Sequence, residues 1–224
     1  IAYGNNVATA LDASAYRNGF NDMNANKEWL LASPQSEDQS AYYWTAPFAF
    51  IDHTTTSYYA TYINADFVSK FSNTDVRNLF VASSTITNPA DFRRYTTRKF
   101  KFNFGSDVPL IRTAEMILID AEALARTPGK EAEAHDLLYA LQKNRDVNAV
   151  KSTNTGAALI DEILLERRKE LYAENGVEWF DAKRLRKGIT RTGNHRIFKN
   201  LSADDKRFFL LVPQSEIDAY ESID

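Results

Sequence analysis

Cysteine is absent from all 224 residues. Disulfides, thiolate metal sites and cysteine nucleophiles are therefore excluded. Histidine is scarce, and His53, His135 and His195 stand far apart in the chain. That isolation argues against a histidine metal site, and the stretch Glu166 to Arg184 holds no histidine to pair with a nucleophile. A basic excess is lacking too: 27 Lys and Arg face 30 Asp and Glu, for a net charge of −3. The electrostatic footprint of a nucleic-acid binder is thus missing. No apolar run approaches the ~20 residues of a membrane span. The chain opens at Ile1 with neither Met nor a signal segment. The expectation is a mature form or a cut fragment, with any lipidation signal upstream.

What remains is ordinary for a globular protein, with 44% hydrophobic and 25% charged residues, so disorder is not expected. The composition shifts near Phe104. Residues 1–104 are rich in Asn, Ser, Thr and Tyr, and residues 105–224 in Ala, Leu, Glu, Lys and Arg. The division predicts an irregular subdomain with short strands followed by a helical region, packed as one unit. Lys27 to Ala32 reads as a strand ending at Pro34. A short helix is expected within Asn6 to Phe20, and a helical turn or two in Val68 to Phe80. Arg98 to Phe104 alternates strictly, which predicts a half-buried strand with Phe100, Phe102 and Phe104 inward and Lys99 and Lys101 outward.

From Pro109 the periodicity becomes helical. Leu110, Ala114, Ile117, Leu118, Ala121, Leu124 and Ala125 form one stripe, with small alanines that admit a close neighbour. Pro128-Gly129 ends that helix. A second, from Lys130, turns Ala134, Leu137, Leu138 and Leu141 inward. The pair is an antiparallel hairpin, the unit of tetratricopeptide-like arrays. The predicted fold class is mainly α: such a hairpin array joined to a loop-rich subdomain with short strands. Val147 to Gly156 is a loop. The next predicted helix covers Ala157 to Asn175 and ends at Gly176 in a positive-φ turn.

That helix carries a charged residue on its apolar stripe: Arg167 lies between Leu164 and Leu171. A guanidinium there requires carboxylates, since an unpaired buried charge is costly. Glu170, Glu174 and Asp181 are the candidates. With Arg168 and Trp179 they predict a structural corner: a helix, a tight bend, and an aromatic plug of Trp179 and Phe180 locked by ion pairs. Asp161, Glu162 and Glu166 read as surface ion pairs and not as a hydrolytic carboxylate pair. The basic run Lys183 to Lys187 is a solvated face or a partner contact. Near the terminus, Phe208 to Val212 is an apolar run that Pro213 ends, and Ser215 can cap a last helical turn.

Several of these stretches together resemble the SusD/RagB-like nutrient-binding outer-membrane proteins. ERRKELYAENGVEWFDAKRLRKG is similar to that family's C-terminal signature, PLIRTAEMILIDAEALAR to its preceding helix, and LLVPQSEIDA to its closing segment. YRNGFNDMNANKEWLLASPQSEDQSAYY and PFAFID resemble the region between its helical repeats. The chain departs from the pattern at Asn175, a one-residue insertion in the corner. The resemblance implies the C-terminal portion of a surface lipoprotein on the outer membrane, lipid-anchored upstream. It further implies a non-enzymatic protein that captures oligosaccharides and passes them to a TonB-dependent, SusC-like transporter, without a cofactor. The alternative is a tetratricopeptide-like scaffold whose ligand is a protein.

Sugar rings offer C–H faces to aromatic side chains and hydroxyls to polar ones. The first half supplies that mixture. Trp44, Tyr43, Tyr42, Trp29, Tyr58 and Tyr59 are the candidate platforms, and Asp52 the candidate hydroxyl acceptor, with Gln39, His53 and Asn64 nearby in sequence.

Overall fold

The computed structural model describes residues 16, 22, 24, 28–36, 38, 61–100 and 106–219. Within them the fold is mainly helical. The helices are α1 (Ala65–Val68), α2 (Thr113–Ala125), α3 (Glu131–Arg145), α4 (Gly156–Leu171), α5 (Val177–Arg184) and α6 (Gln214–Ala219). The strands are β1 (Trp29–Ser33), β2 (Phe80–Ala82), β3 (Tyr95–Thr97) and β4 (Val108–Arg112). They form two antiparallel ribbons, β1 with β4 and β2 with β3.

Helix α2 is the centre of the helical layer, flanked by α3 and α4. Ala114, Ala121 and Ala125 of α2 are small enough to let both neighbours close in. Leu118, Leu138, Leu141, Leu159 and Ile163 then fill the space between them. Each large buried side chain of this kind contributes about 1.5–3 kcal/mol. The hairpin turn lies where expected, with Gly129 at φ 78° after Pro128. A second core is aromatic: Phe67, Phe71, Phe80 and Tyr172 pack edge to face or tilted, with centroids 4.9–6.3 Å apart.

Four expectations need correction. The periodicity from Pro109 begins one strand too early. Val108–Arg112 is β4, paired with β1, and Leu110 is an exposed strand residue. Proline is tolerated in such a two-stranded ribbon because an edge strand has no second ladder to serve.

The alternating strand at 98–104 also fails where it is described. The strand lies earlier, at Tyr95–Thr97, and Lys99 and Phe100 are both buried. Residues 101–105 and the expected helix in 6–20, apart from Tyr16, lie outside the described residues.

Helix α4 ends at Leu171 and not at Asn175. Three residues beyond it take positive φ: Ala173 at 60°, Asn175 at 44° and Gly176 at 69°. The inserted Asn175 has a use there, since its Nδ2 donates to the carbonyls of Pro109 (3.1 Å) and Leu110 (3.0 Å) and ties the bend to β4.

The aromatic plug is the fourth. Trp179 is 37% exposed and Phe180 61% exposed, and Val177 is the buried residue of α5. Trp179 leans on Phe208, with ring centroids 4.7 Å apart. The ring sealed under the corner is Tyr172. The apolar run after Phe208 does not bury: Phe209, Leu210, Leu211 and Val212 are exposed. Ser215 lies inside α6, where Gln214 Nε2 donates to Asp218 (2.7 Å).

Candidate functional site

The charged residues of the corner meet where the ends of several elements converge. Glu170 occupies the last turn of α4, Arg145 the last turn of α3, Arg112 the end of β4, and Glu28 the approach to β1. Arg112 Nη1 donates to Glu28 (2.7 Å) and Glu170 (3.0 Å), and its Nε and Nη2 donate to Glu174 (2.7 and 2.8 Å). Arg145 donates to Glu170 through Nε (3.0 Å) and Nη2 (2.9 Å), and to Glu28. Arg77 joins from the other side, bound to Asp75 (2.8 Å), Glu166 (2.5 Å) and Glu170 (3.1 Å). Lys99 Nζ reaches Glu174 (2.5 Å) and the carbonyls of Glu170 and Tyr172. Lys169, at the margin, meets Asp75 at 3.0 Å.

Glu28, Asp75, Glu166, Glu170 and Glu174 thus face Arg77, Lys99, Arg112, Arg145 and Lys169, and among the described residues the cluster is charge-balanced. Burial alone would raise the Glu170 carboxyl. The guanidiniums of Arg145, Arg112 and Arg77 outweigh it and hold Glu170 well below the usual carboxylate range. Glu174 is also lowered against its burial, by Arg112 and Lys99. Burial brings the Lys99 ammonium down to about 8 even with Glu174 beside it. Acids held ionised among guanidiniums do not make general acids or bases near neutrality. The cluster is a fastener.

Of the residues singled out in sequence, Arg167 is buried as expected and bonds Asp181 (2.9 Å). Its second carboxylate is Glu115 (2.9 Å), because Glu170 and Glu174 are committed to the cluster. Arg168 pairs with Glu178 (2.9 Å) and lies over the Phe67 ring. Glu166 is buried, contrary to the surface pairing expected of it, whereas Asp161 does pair at the surface with Lys187 (2.6 Å). The basic run is paired rather than bare: Arg184 binds Glu122 and Asp181, and Arg186 binds Asp204. Trp29 is 8% exposed in β1, packed inside the protein. Trp44, Tyr43, Tyr42, Asp52, Tyr58 and Tyr59 lie outside the described residues. Among the described residues no group of acids and histidines is arranged to hold a metal ion.

An open feature lies on the outer side of the corner. A cleft of about 370 Å³ is lined by Tyr62, Asn64, Trp179, Glu178, Arg191 and His195, with Phe67 and Tyr172 at its base. A second hollow of about 290 Å³ shares Tyr62, Asn64 and His195 and continues past Phe92 and Arg196. One wall is the loop after α5, and it is pinned to the chain before α1. Asn64 Nδ2 donates to the Thr192 carbonyl (2.8 Å), the Ala65 N–H donates to Asn194 Oδ1 (2.7 Å), and Asn194 Nδ2 donates to the Asp91 carbonyl (2.8 Å). Gly193 makes this docking possible. Its φ is 71°, and a Cβ there would sit 2.8 Å from Asn64 Oδ1 and 2.9 Å from Asp66 Cγ. Gly193→Ala is expected to cost about 1–2 kcal/mol from the left-handed backbone alone. Thermal unfolding measures that loss, and faster amide exchange at residues 192–195 would report the loosened wall.

The chain matches the family model of the SusD family over residues 15–216. It belongs to the SusD family. A SusD-like carbohydrate binding protein from Bacteroides vulgatus is 25% identical, with a TM-score of 0.78 over 95% of this chain and 51% of that one. A SusD superfamily protein from Bacteroides thetaiotaomicron is also 25% identical, with a TM-score of 0.79 over 97% and 52%. A further SusD superfamily protein from Bacteroides vulgatus shares the fold at 18% identity, with a TM-score of 0.76 over 96% and 49%. The chain therefore spans about half the length of the solved structures it matches. No curated protein among those compared matches it.

Sequence reasoning did not assemble the SusD chain's cleft. Asn64 and His195 stand isolated in the sequence, and Tyr62 and Arg191 carry no signal that joins them. Lys99, Arg112 and Arg145 of the cluster were missed as well. Only Arg112 had a usable cue, a guanidinium closing an apolar stretch just before a helix.

Proposed function

We propose that this SusD-family chain is part of a cell-surface binding protein that captures oligosaccharides and delivers them to a TonB-dependent, SusC-like transporter. Residues 105–224 are the rigid frame and residues 1–104 the ligand-facing side. The full protein is held at the outer membrane by a lipid anchor. No helix among the described residues is long and apolar enough to cross a membrane, which is compatible with such an anchor. Capture is an equilibrium process: Trp44 and Tyr43 stack on sugar faces, Tyr42, Tyr58 and Tyr59 extend the platform, and Asp52 accepts from hydroxyls. Binding rather than catalysis fits the buried carboxylates of the cluster, Glu28, Asp75, Glu166, Glu170 and Glu174, which are committed to cations.

One observation carries the reading: the family match over residues 15–216, reinforced by likeness to a SusD-like carbohydrate binding protein. Calorimetric titration after a glycan array tests it. Saturable sugar binding is expected, weakened about 5- to 150-fold in Trp44→Ala, since one stacked aromatic carries about 1–3 kcal/mol. No sugar binding together with a stable protein partner would establish the scaffold alternative instead, and released hydrolysis products would show an enzyme.

A further inference from the structure

The cleft beside the corner has a chemistry that the proposed capture by Trp44 and Tyr43 does not use. Its volume, about 370 Å³, lies within the ~300–1,000 Å³ of small-ligand sites. Aromatic surface comes from Trp179, which is 37% exposed and braced from behind by Phe208. Tyr62, edge-on to Phe92 at 5.6 Å, supplies more.

The polar groups are unevenly charged. Arg168 is matched by Glu178 at 2.9 Å, so that pair is neutral. Arg191 is different. Its Nη1 donates to the Lys199 carbonyl, and its backbone N–H donates to Asn200 Oδ1 at 2.8 Å. Among the described residues it forms no ion pair with a carboxylate. A half-buried guanidinium in that state favours an anionic guest. His195 stands beside it. Burial and the Arg191 charge lower its pKa, so near neutrality the imidazole offers one donor and one acceptor. Among the described residues its ring nitrogens make no hydrogen bond, whereas Asn64 and Asn194 are both occupied in holding the wall.

We propose that this cleft is a subsite for a single sugar ring bearing a carboxylate. The ring lies against Trp179, the carboxylate meets Arg191, and a hydroxyl meets His195. The inference rests on the saccharide-binding reading and adds both a location and a charge preference to it. Charge makes the site selective: a neutral sugar would leave Arg191 without a counter-ion, while a simple carboxylate would leave Trp179 without a partner.

The test is nuclear magnetic resonance of the whole chain, titrated in turn with D-glucuronate, glucose and acetate. The Trp179 indole N–H is assigned from Trp179→Phe and the His195 ring from His195→Gln. Glucuronate is expected to shift both signals saturably, with glucose and acetate each at least tenfold weaker. Arg191→Gln should weaken glucuronate at least tenfold. Unshifted signals would overturn the proposal, and so would equal affinity for glucose or for acetate. Because the first readout uses the unmutated chain, a variant that fails to fold does not decide the matter. If glycans bind and Trp44→Ala abolishes that binding while the Trp179 and His195 signals stay still, the subsite fails and the capture reading stands. If no saccharide binds anywhere, both fail.

Discussion

Glu170→Gln is expected to lower the unfolding free energy by about 3–5 kcal/mol, a large part of the ~5–15 kcal/mol of a typical domain. The side chain is fully buried and accepts from Arg77, Arg112 and Arg145. The substitution keeps the shape and removes the charge, leaving three buried guanidiniums to share the remaining acids. The amide also brings a donor into a place where only acceptors fit. Lys99→Met supplies the contrast. Burial already works against the Lys99 ammonium, and Glu174 keeps two bonds from Arg112 at 2.7 and 2.8 Å. Its removal is expected to cost below about 2 kcal/mol, mostly from the Glu170 and Tyr172 carbonyls it leaves without that donor. Urea denaturation followed by circular dichroism measures both. Equal losses in the two variants would mean that the cluster does not depend on Glu170 as its shared acceptor.

The position of Glu170 explains why so little of this cluster could be anticipated. Periodicity reports which face of an element is apolar, and it did so well for α2 and α3, where Ala114, Leu118, Ala121, Leu138 and Leu141 are buried as their spacing requires. It also singled out Arg167, because one charge stood on an apolar stripe within a single helix. The Glu28–Arg145 and Arg77–Glu170 contacts join residues distant in sequence, and they lie at element ends, where periodicity stops. Lys99 was misplaced for a related reason. Alternating Phe and Lys signals a two-faced strand only if the backbone is extended, and here the strand has already ended at Thr97. Pro109 reads as a helix start, a position it favours, yet a two-stranded ribbon accommodates it equally. The cleft had even less signature, since its walls come from the chain before α1, the bend after α4 and the loop after α5. Only the docking of Gly193 onto Asn64 and Asp66 brings Arg191 and His195 opposite Tyr62.

The second large effect is on pH dependence, and the cluster gives it an unusual shape. Asp75, Glu170 and Glu174 are all lowered in the folded state, each against its own burial: Asp75 by Arg77, Glu170 by Arg145, Arg112 and Arg77, and Glu174 by Arg112 and Lys99. In the unfolded chain these acids titrate near 4. On acidification the unfolded state therefore binds protons first. Their stabilisation is fully present above about pH 5 and is lost as pH falls toward the folded-state values, at about 1.4 kcal/mol per unit of pKa difference. His195, lowered by burial and Arg191, acts in the same direction below about pH 6.5. Lys99 controls the alkaline side. Its ammonium titrates at about 8 when folded and near 10.5 when unfolded. Between these values the unfolded state holds the extra proton, so stability is expected to rise by about 2–3 kcal/mol from pH 8 toward pH 10. The rise should end there, because Tyr16 and Tyr172, raised chiefly by burial, resist an ionisation that the unfolded chain allows. Urea unfolding from pH 3 to pH 10 checks the profile: a steep acid limb, a shoulder near neutrality and an alkaline increase. Lys99→Met should remove the alkaline increase and weaken the acid limb only through Glu174, which keeps Arg112, while the Asp75 and Glu170 contributions persist. A flat alkaline limb in the unmutated chain would mean that Lys99 keeps its proton when folded, and that Glu174 and the two carbonyls compensate its burial more fully than the geometry implies.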